Sequence, residues 1–81
     1  MYLDDVRQLL TDVLNLGPEG ASLTAASPLL GAIPELDSMA VVNLVTALED
    51  HFGITVEDDE ISADTFETLG ALAGFVAAKL A

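Results

Sequence analysis

Residues 2–16, YLDDVRQLLTDVLNL, set Leu3, Val6, Leu10, Val13 and Leu14 at helical spacing with polar residues between them, which predicts an amphipathic helix. Asp4 and Asp5 fall in its first turn, where the positive end of the helix dipole favours acids. Gly17-Pro18 is its expected stop. A second helix is predicted from about Ser38 to Phe52, with Val41, Val45, Leu48 and Phe52 on one stripe, Val42 and Leu44 beside it, and Gly53 closing it. A last helix runs from about Thr68 to Leu80: Leu69, Leu72, Ala73, Val76 and Leu80 share a face, and Thr68 is a residue type that caps helix starts. Between these two, ITVEDDEISADTF carries four consecutive acids, Glu57 to Glu60, and predicts one short helical turn ending near Ala63. Its first three residues are strand-like, and one strand cannot make a sheet.

The first and second helices are joined by LGPEGASLTAASPLLGAIPE, about twenty residues rich in Gly, Pro, Ser and Ala. A connection this long inside a small domain is functional or anchored. Leu23, Leu29, Leu30 and Ile33 are the expected anchors. The fold class expected is therefore all-α: three longer helices, one short third helix, and a long loop between helices one and two, as a single domain over residues 1–81.

Composition narrows the function. Cysteine is absent, which removes disulfides, thiolate metal sites and a cysteine nucleophile. The N-terminus, MYLDDVRQLL, has acids where a signal peptide needs a basic flank, and no apolar run approaches the ~20 residues that span a bilayer. The expectation is a soluble, cytoplasmic protein with no membrane span. Fourteen acids stand against Arg7 and Lys79, a formal net charge of −12. That charge repels nucleic acid and anionic membrane surfaces and steers in proteins with basic docking surfaces.

The chemistry-bearing stretch is ELDSMAVVNLV, in which Asp37 and Ser38 stand at the mouth of the second helix. Both are capping residue types, so capping is the simplest role for Ser38. Serine catalysis needs an adjacent base, and the only histidine, His51, lies roughly 20 Å away along the same helix. A calcium loop started at Asp58 puts Ala63 where glycine is needed and Leu69 where glutamate is needed. No phosphate-binding glycine loop or zinc spacing is present, so no metal site is expected. A serine at a helix start is instead well placed for modification, because free N–H groups and the positive dipole end favour an attached phosphate.

The order of these parts resembles the acyl carrier proteins over essentially the whole chain. The matching pieces are Asp37-Ser38-Met39 at the start of the second helix and Leu48-Glu49-Asp50-His51-Phe52-Gly53 at its end. The acidic Glu57 to Ile61 and then Thr68-Leu69-Gly70 follow in the same order. The resemblance implies a four-helix bundle and a carrier acted on by separate enzymes. It implies that Ser38 bears 4′-phosphopantetheine, donated from coenzyme A by a phosphopantetheinyl transferase, while also capping its helix. Asp37 matches the acid that the transferase reads. Met39 replaces the usual leucine and is expected to sit partly exposed as a contact for partners. Glu49, Asp50, Glu57 and Asp58 are the further partner-recognition candidates, facing acyl-loading and acyl-transfer enzymes with basic docking surfaces, and a monomer is expected. Val42, Val45, Leu48, Ile61 and Ala73 are the candidates to line a seat for the acyl cargo.

Two departures point to a specialised carrier. Ala40 and Asn43 replace the acids that fatty-acid-synthesis carriers usually hold two and five residues after the serine. Pro34 and Leu36 give an unusual approach to it. The pattern is similar to carriers found with bacterial surface-polysaccharide and exosortase systems, within a range that includes lipid and polyketide pathways. The alternatives are an aminoacyl or peptidyl carrier, or a non-carrier acidic helical module that uses Ser38 only as a cap.

Overall fold

Helix α1 (Leu3–Leu14) forms where the periodicity places it and buries Val6, Leu10 and Leu14, in a computed structural model that describes residues 2–34 and 36–81. It ends earlier than Gly17-Pro18. Asn15 takes the left-handed conformation (φ 55°), and the Asn15 and Leu16 N–H groups both bond the Thr11 carbonyl. Asparagine tolerates that conformation better than most residues and closes helices in this way.

Gly17-Pro18 instead opens a one-turn helix, α2 (Pro18–Ala21), inside the stretch expected to be loop. Proline suits this first helical position because its missing N–H has no partner there. The turn lies so close to α1 that a Cβ on Gly20 would meet the Thr11 hydroxyl at 2.0 Å.

The rest of the connection is anchored by backbone. The Leu29 and Leu30 N–H groups donate to the Glu67 and Phe66 carbonyls, at 2.9 and 3.0 Å, while Leu69 and Gly70 donate back to Ser27 and Ala25, at 3.1 and 2.8 Å. Gly70 permits this approach, since a Cβ there would lie 2.8 Å from the Ala25 oxygen. Leu29 is fully buried, and Leu23 and Ile33 are half-buried. The Leu30 side chain does not anchor: it is 44% exposed, in the turn closed by the Ala32 and Ile33 N–H groups on the Leu29 carbonyl. Arg7 holds the earlier part, donating to the Leu23 carbonyl at 3.1 Å and pairing with Asp4.

Helix α3 (Ser38–Phe52), the second helix of the sequence reading, turns Leu44, Val45 and Leu48 into the core and ends at Gly53 in the left-handed conformation. Val41 and Phe52 are only half-buried, so the inward stripe is centred on Leu44 and Leu48. Helix α4 (Leu69–Leu80) buries Leu69, Leu72, Ala73 and Val76. The Thr68 hydroxyl caps it by accepting from the Ala71 N–H at 3.0 Å, and Leu80, in the last turn, emerges from the core. Helix α1 packs against α2, α3 and α4 and is the hub of the bundle. Tyr2 meets Phe52 edge-to-face at 5.7 Å, so the start of α1 lies against the end of α3. Each fully buried leucine or valine contributes about 1.5–3 kcal/mol by leaving water.

The expected short third helix is smaller than the sequence suggests, a single 3₁₀ turn at Asp58–Glu60 that ends before Ala63 at an extended Ile61. Three consecutive acids offer no apolar side to bury, and polar bonds hold the turn instead. Glu60 accepts from the Glu57 N–H at 2.9 Å and from the Lys79 ammonium on α4. The strand-like residues 54–56 are coil, fastened where the Val56 N–H donates to Glu49 at 2.9 Å. Among the described residues no helix is long and apolar enough to cross a membrane.

The Lys79 ammonium and the Glu57 N–H hold the Glu60 carboxyl below the usual glutamate range. The unfolded chain therefore takes up a proton at a pH where the folded chain does not. The pair's contribution is complete above the ordinary glutamate value and is lost as pH falls through the lowered folded value. Glu60→Gln is expected to lower Tm near neutral pH, and the gap to the parent should close on acidification. Thermal melts of both proteins across that range check this; a gap that is constant with pH would mean the carboxylate is not the source.

Candidate functional site

The start of α3 separates two roles that the sequence leaves joined. Asp37 is the N-cap: its backbone is extended (φ −103°, ψ −173°), and its carboxylate accepts from the Ala40 N–H at 2.8 Å. Ser38 is the first helical residue. The expectation that Ser38 also caps is therefore corrected. A first-turn residue already has helical backbone angles, and its hydroxyl cannot reach back to the N–H groups that the preceding residue serves. The Ser38 side chain is exposed, and its hydroxyl makes no hydrogen bond among the described residues.

The surroundings suit an anion attached at that oxygen. The Ser38 and Met39 N–H groups belong to the unpaired set at any helix start, and the positive dipole end lies beside them. The first turn of α3 contains no acid. Asp37 places a carboxylate next to Ser38 in sequence, and that carboxylate is occupied with the cap.

The remaining candidates fall into distinct groups. Met39 is 70% exposed, more open than the partial exposure expected of it. Asp50 and Asp58 are exposed on the surface. Glu49 is half-buried with its carboxylate engaged by the Val56 N–H. Glu57 is exposed, with its backbone N–H tied to Glu60. His51 is exposed and stacks edge-to-face on Phe52 at 4.7 Å. No three acids or histidines converge as metal ligands among the described residues.

Of the residues expected to line a cargo seat, Val45, Leu48 and Ala73 are buried in the common core and Ile61 is half-buried. Val42 is not among them. It is 57% exposed and lies on the outer face of α3 with Ser38 and Met39. Its spacing, four after Ser38 and three after Met39, carries that information, since residues three and four apart share a helix face. One surface hollow, of about 290 Å³, lies between the start of α1 and α4, lined by Tyr2, Leu3, Gly70 and Ala73 among others. It is away from Ser38: Tyr2 touches Phe52, at the opposite end of α3.

The chain is similar to known proteins over nearly its whole length. Residues 4–76 match the family described as "Phosphopantetheine attachment site". The acyl carrier protein of Wolinella succinogenes is 34% identical over 74 residues, covering 90% of each chain. The solution NMR structure of a holo acyl carrier protein from Nitrosomonas europaea superposes with a TM-score of 0.93 at 65% identity, over 99% of this chain and 96% of that one.

Separate roles for the two residues have a measurable consequence. Asp37→Ala is expected to cost about 1 kcal/mol of stability by urea denaturation, and Asp37→Asn only a few tenths, because asparagine keeps the capping oxygen. Ser38→Ala should leave stability within about 0.5 kcal/mol, as for other exposed sites. A loss at Ser38 matching that of Asp37→Ala would return the cap to the serine.

Proposed function

The chain belongs to the phosphopantetheine attachment-site family and is an acyl carrier protein, a carrier and not a catalyst, and we propose that Ser38 is the residue that bears its arm. The observation that carries this assignment is the division of labour at α3. Asp37 satisfies the helix start and leaves the exposed Ser38 hydroxyl out of the cap, without a hydrogen bond among the described residues, at the positive end of the dipole. The rival in which Ser38 serves only as a cap loses its premise.

In this reading Ser38 Oγ forms the phosphoester to 4′-phosphopantetheine. The arm's thiol supplies the thioester chemistry that a cysteine-free chain cannot. The residues around Ser38 hold and present. The first-turn N–H groups face the phosphate, Asp37 marks the site for the phosphopantetheinyl transferase, and α3 keeps the attachment point outside the core. The arm keeps its cargo at high effective concentration beside whichever acyl-handling enzyme is docked.

The pathway proposed is a specialised one, in lipid, polyketide or surface-polysaccharide-linked metabolism, served by dedicated enzymes in the cytoplasm. Support comes from charge placement. The first turn of α3 has no acid, and Ala40 and Asn43 stand where fatty-acid carriers usually hold carboxylates. Apart from the capping Asp37, exposed acids such as Asp50 and Asp58 lie farther off, where basic docking surfaces would meet them. General fatty-acid enzymes, steered by charge at the head of the helix, lose that attraction here.

Incubation with coenzyme A, magnesium and a broad-specificity phosphopantetheinyl transferase should add one arm by intact mass, mapped to Ser38. Ser38→Ala should stay helical by circular dichroism and gain none; an arm on that variant would overturn the assignment. Restoring both charges, Ala40→Asp with Asn43→Glu, should raise kcat/KM with a fatty-acid ketosynthase about tenfold. No gain would count against the charge argument.

A further inference from the structure

Leu36 is one of two unusual residues on the approach to Ser38, and neither capping nor charge accounts for it. It is 5% exposed and belongs to the common core, although Pro34 before it and Asp37, Ser38 and Met39 after it are exposed. From Leu29, which is fully buried, the chain leaves the core through exposed Leu30, Gly31 and Ala32. The Ala32 and Ile33 N–H groups turn it back on the Leu29 carbonyl, at 3.2 and 3.1 Å, and the Leu36 N–H follows on the Ile33 carbonyl at 3.0 Å. Leu36 is the last buried residue before Leu44, and the attachment segment hangs from it.

Counted from the Asp37 cap, Leu36 stands just outside α3 and Val41 is the fourth helical residue. An apolar pair at these two positions closes over a helix start and fixes the angle at which the chain enters. Val41 is half-buried and packs against the core cluster that contains Leu36, and its N–H closes the first turn on the Asp37 carbonyl at 2.9 Å. The polar half of this start is thin. A capping box needs glutamate or glutamine at the third helical position, which here is Ala40. The Asp37 carboxylate on the Ala40 N–H is then the one side-chain hydrogen bond at the start of α3 among the described residues.

Resting on the carrier reading, we propose that Leu36 is a positioning residue for arm transfer: stapled to the core with Val41, it holds the Ser38 hydroxyl at a fixed place and angle for attack. In that step Ser38 Oγ forms a bond to the pantetheine-bearing phosphorus of coenzyme A and the phosphoanhydride bond breaks. Adenosine 3′,5′-bisphosphate leaves, and the hydroxyl proton passes to a base on the transferase. To this step the chain supplies the nucleophile, and its share of the rate is the placement of that oxygen. Leu36 is buried and acts through the backbone, two residues from the oxygen it places.

The test reads kcat and KM for arm transfer by a broad-specificity phosphopantetheinyl transferase, by intact mass, on proteins shown to be helical by circular dichroism. Leu36→Ala should lower kcat about tenfold and leave KM within about twofold, because the exposed surface is unchanged while the oxygen is less well placed. Val41→Ala should lower kcat by a smaller factor. Leu36→Met, which keeps the volume, should recover most of the parent's kcat. Leu72→Ala, the same truncation at a fully buried site on α4, should leave kcat and KM unchanged at temperatures where it is folded. If Leu36→Ala does not fold, Leu36→Val makes the same comparison with a smaller truncation and should lower kcat about threefold. By hydrogen exchange the Ala40 amide, held by the Asp37 cap, should open faster in Leu36→Ala than in Leu72→Ala. An unchanged kcat at Leu36, an equal loss of kcat in Leu72→Ala, equal exchange at Ala40, or a Leu36→Met as slow as Leu36→Ala would overturn the positioning role while leaving Ser38 as the attachment site. A folded parent that accepts no arm would instead overturn the carrier reading beneath it.

Discussion

The position of Ser38 depends on the backbone ladder between residues 25–30 and 66–70. Its four hydrogen bonds run in both directions and lash the long first connection to the threshold of α4. The lashing fixes where the chain can turn next. Leu29 is driven into the core, Leu36 follows it at 5% exposure, and the chain emerges at Asp37 to begin α3. Without that ladder about twenty residues rich in glycine and proline would deliver the helix start to no particular place. The close approach at Gly70 is part of the same constraint, which gives the Thr68-Leu69-Gly70 sequence a physical meaning: cap, core residue and contact point, in that order.

Much of this was legible in the sequence. The three longer helices follow from apolar residues at helical spacing, and Thr68 and Gly53 end or begin helices where their residue types predict. Other features were hidden for identifiable reasons. Helix α2 has no apolar periodicity; its place against α1 is set by the absence of a side chain at Gly20, which no pattern of hydrophobic positions can express. The end of α1 was ambiguous because Asn15 and Gly17 are both residue types that end helices, and backbone angles decide between them. Val42 was assigned inward for its character, although its register relative to Ser38 places it outward.

The same ambiguity governed the site. Asp37 and Ser38 are equally good capping types, and nothing in the two letters says which one turns to face the helix. The structure resolves it through one 2.8 Å bond, and the resolution has functional weight. A serine engaged in capping would have to give up that stabilising bond before modification, whereas a hydroxyl outside the cap does not. Family membership gives the chain its prosthetic group, and under the proposed assignment to Ser38 the arm attaches without disturbing the Asp37 cap.

Two kinds of acid on this chain have different work. Asp37, Glu49 and Glu60 are acceptors for backbone N–H groups and hold a helix start, a coil segment and a 3₁₀ turn in place. Asp50, Asp58 and Asp59 project into solvent and shape only the surrounding field. A systematic charge-reversal survey of this surface would therefore mix two unlike perturbations. Changes in the second group would report on encounter with other molecules, while changes in the first would also loosen the framework that presents the arm.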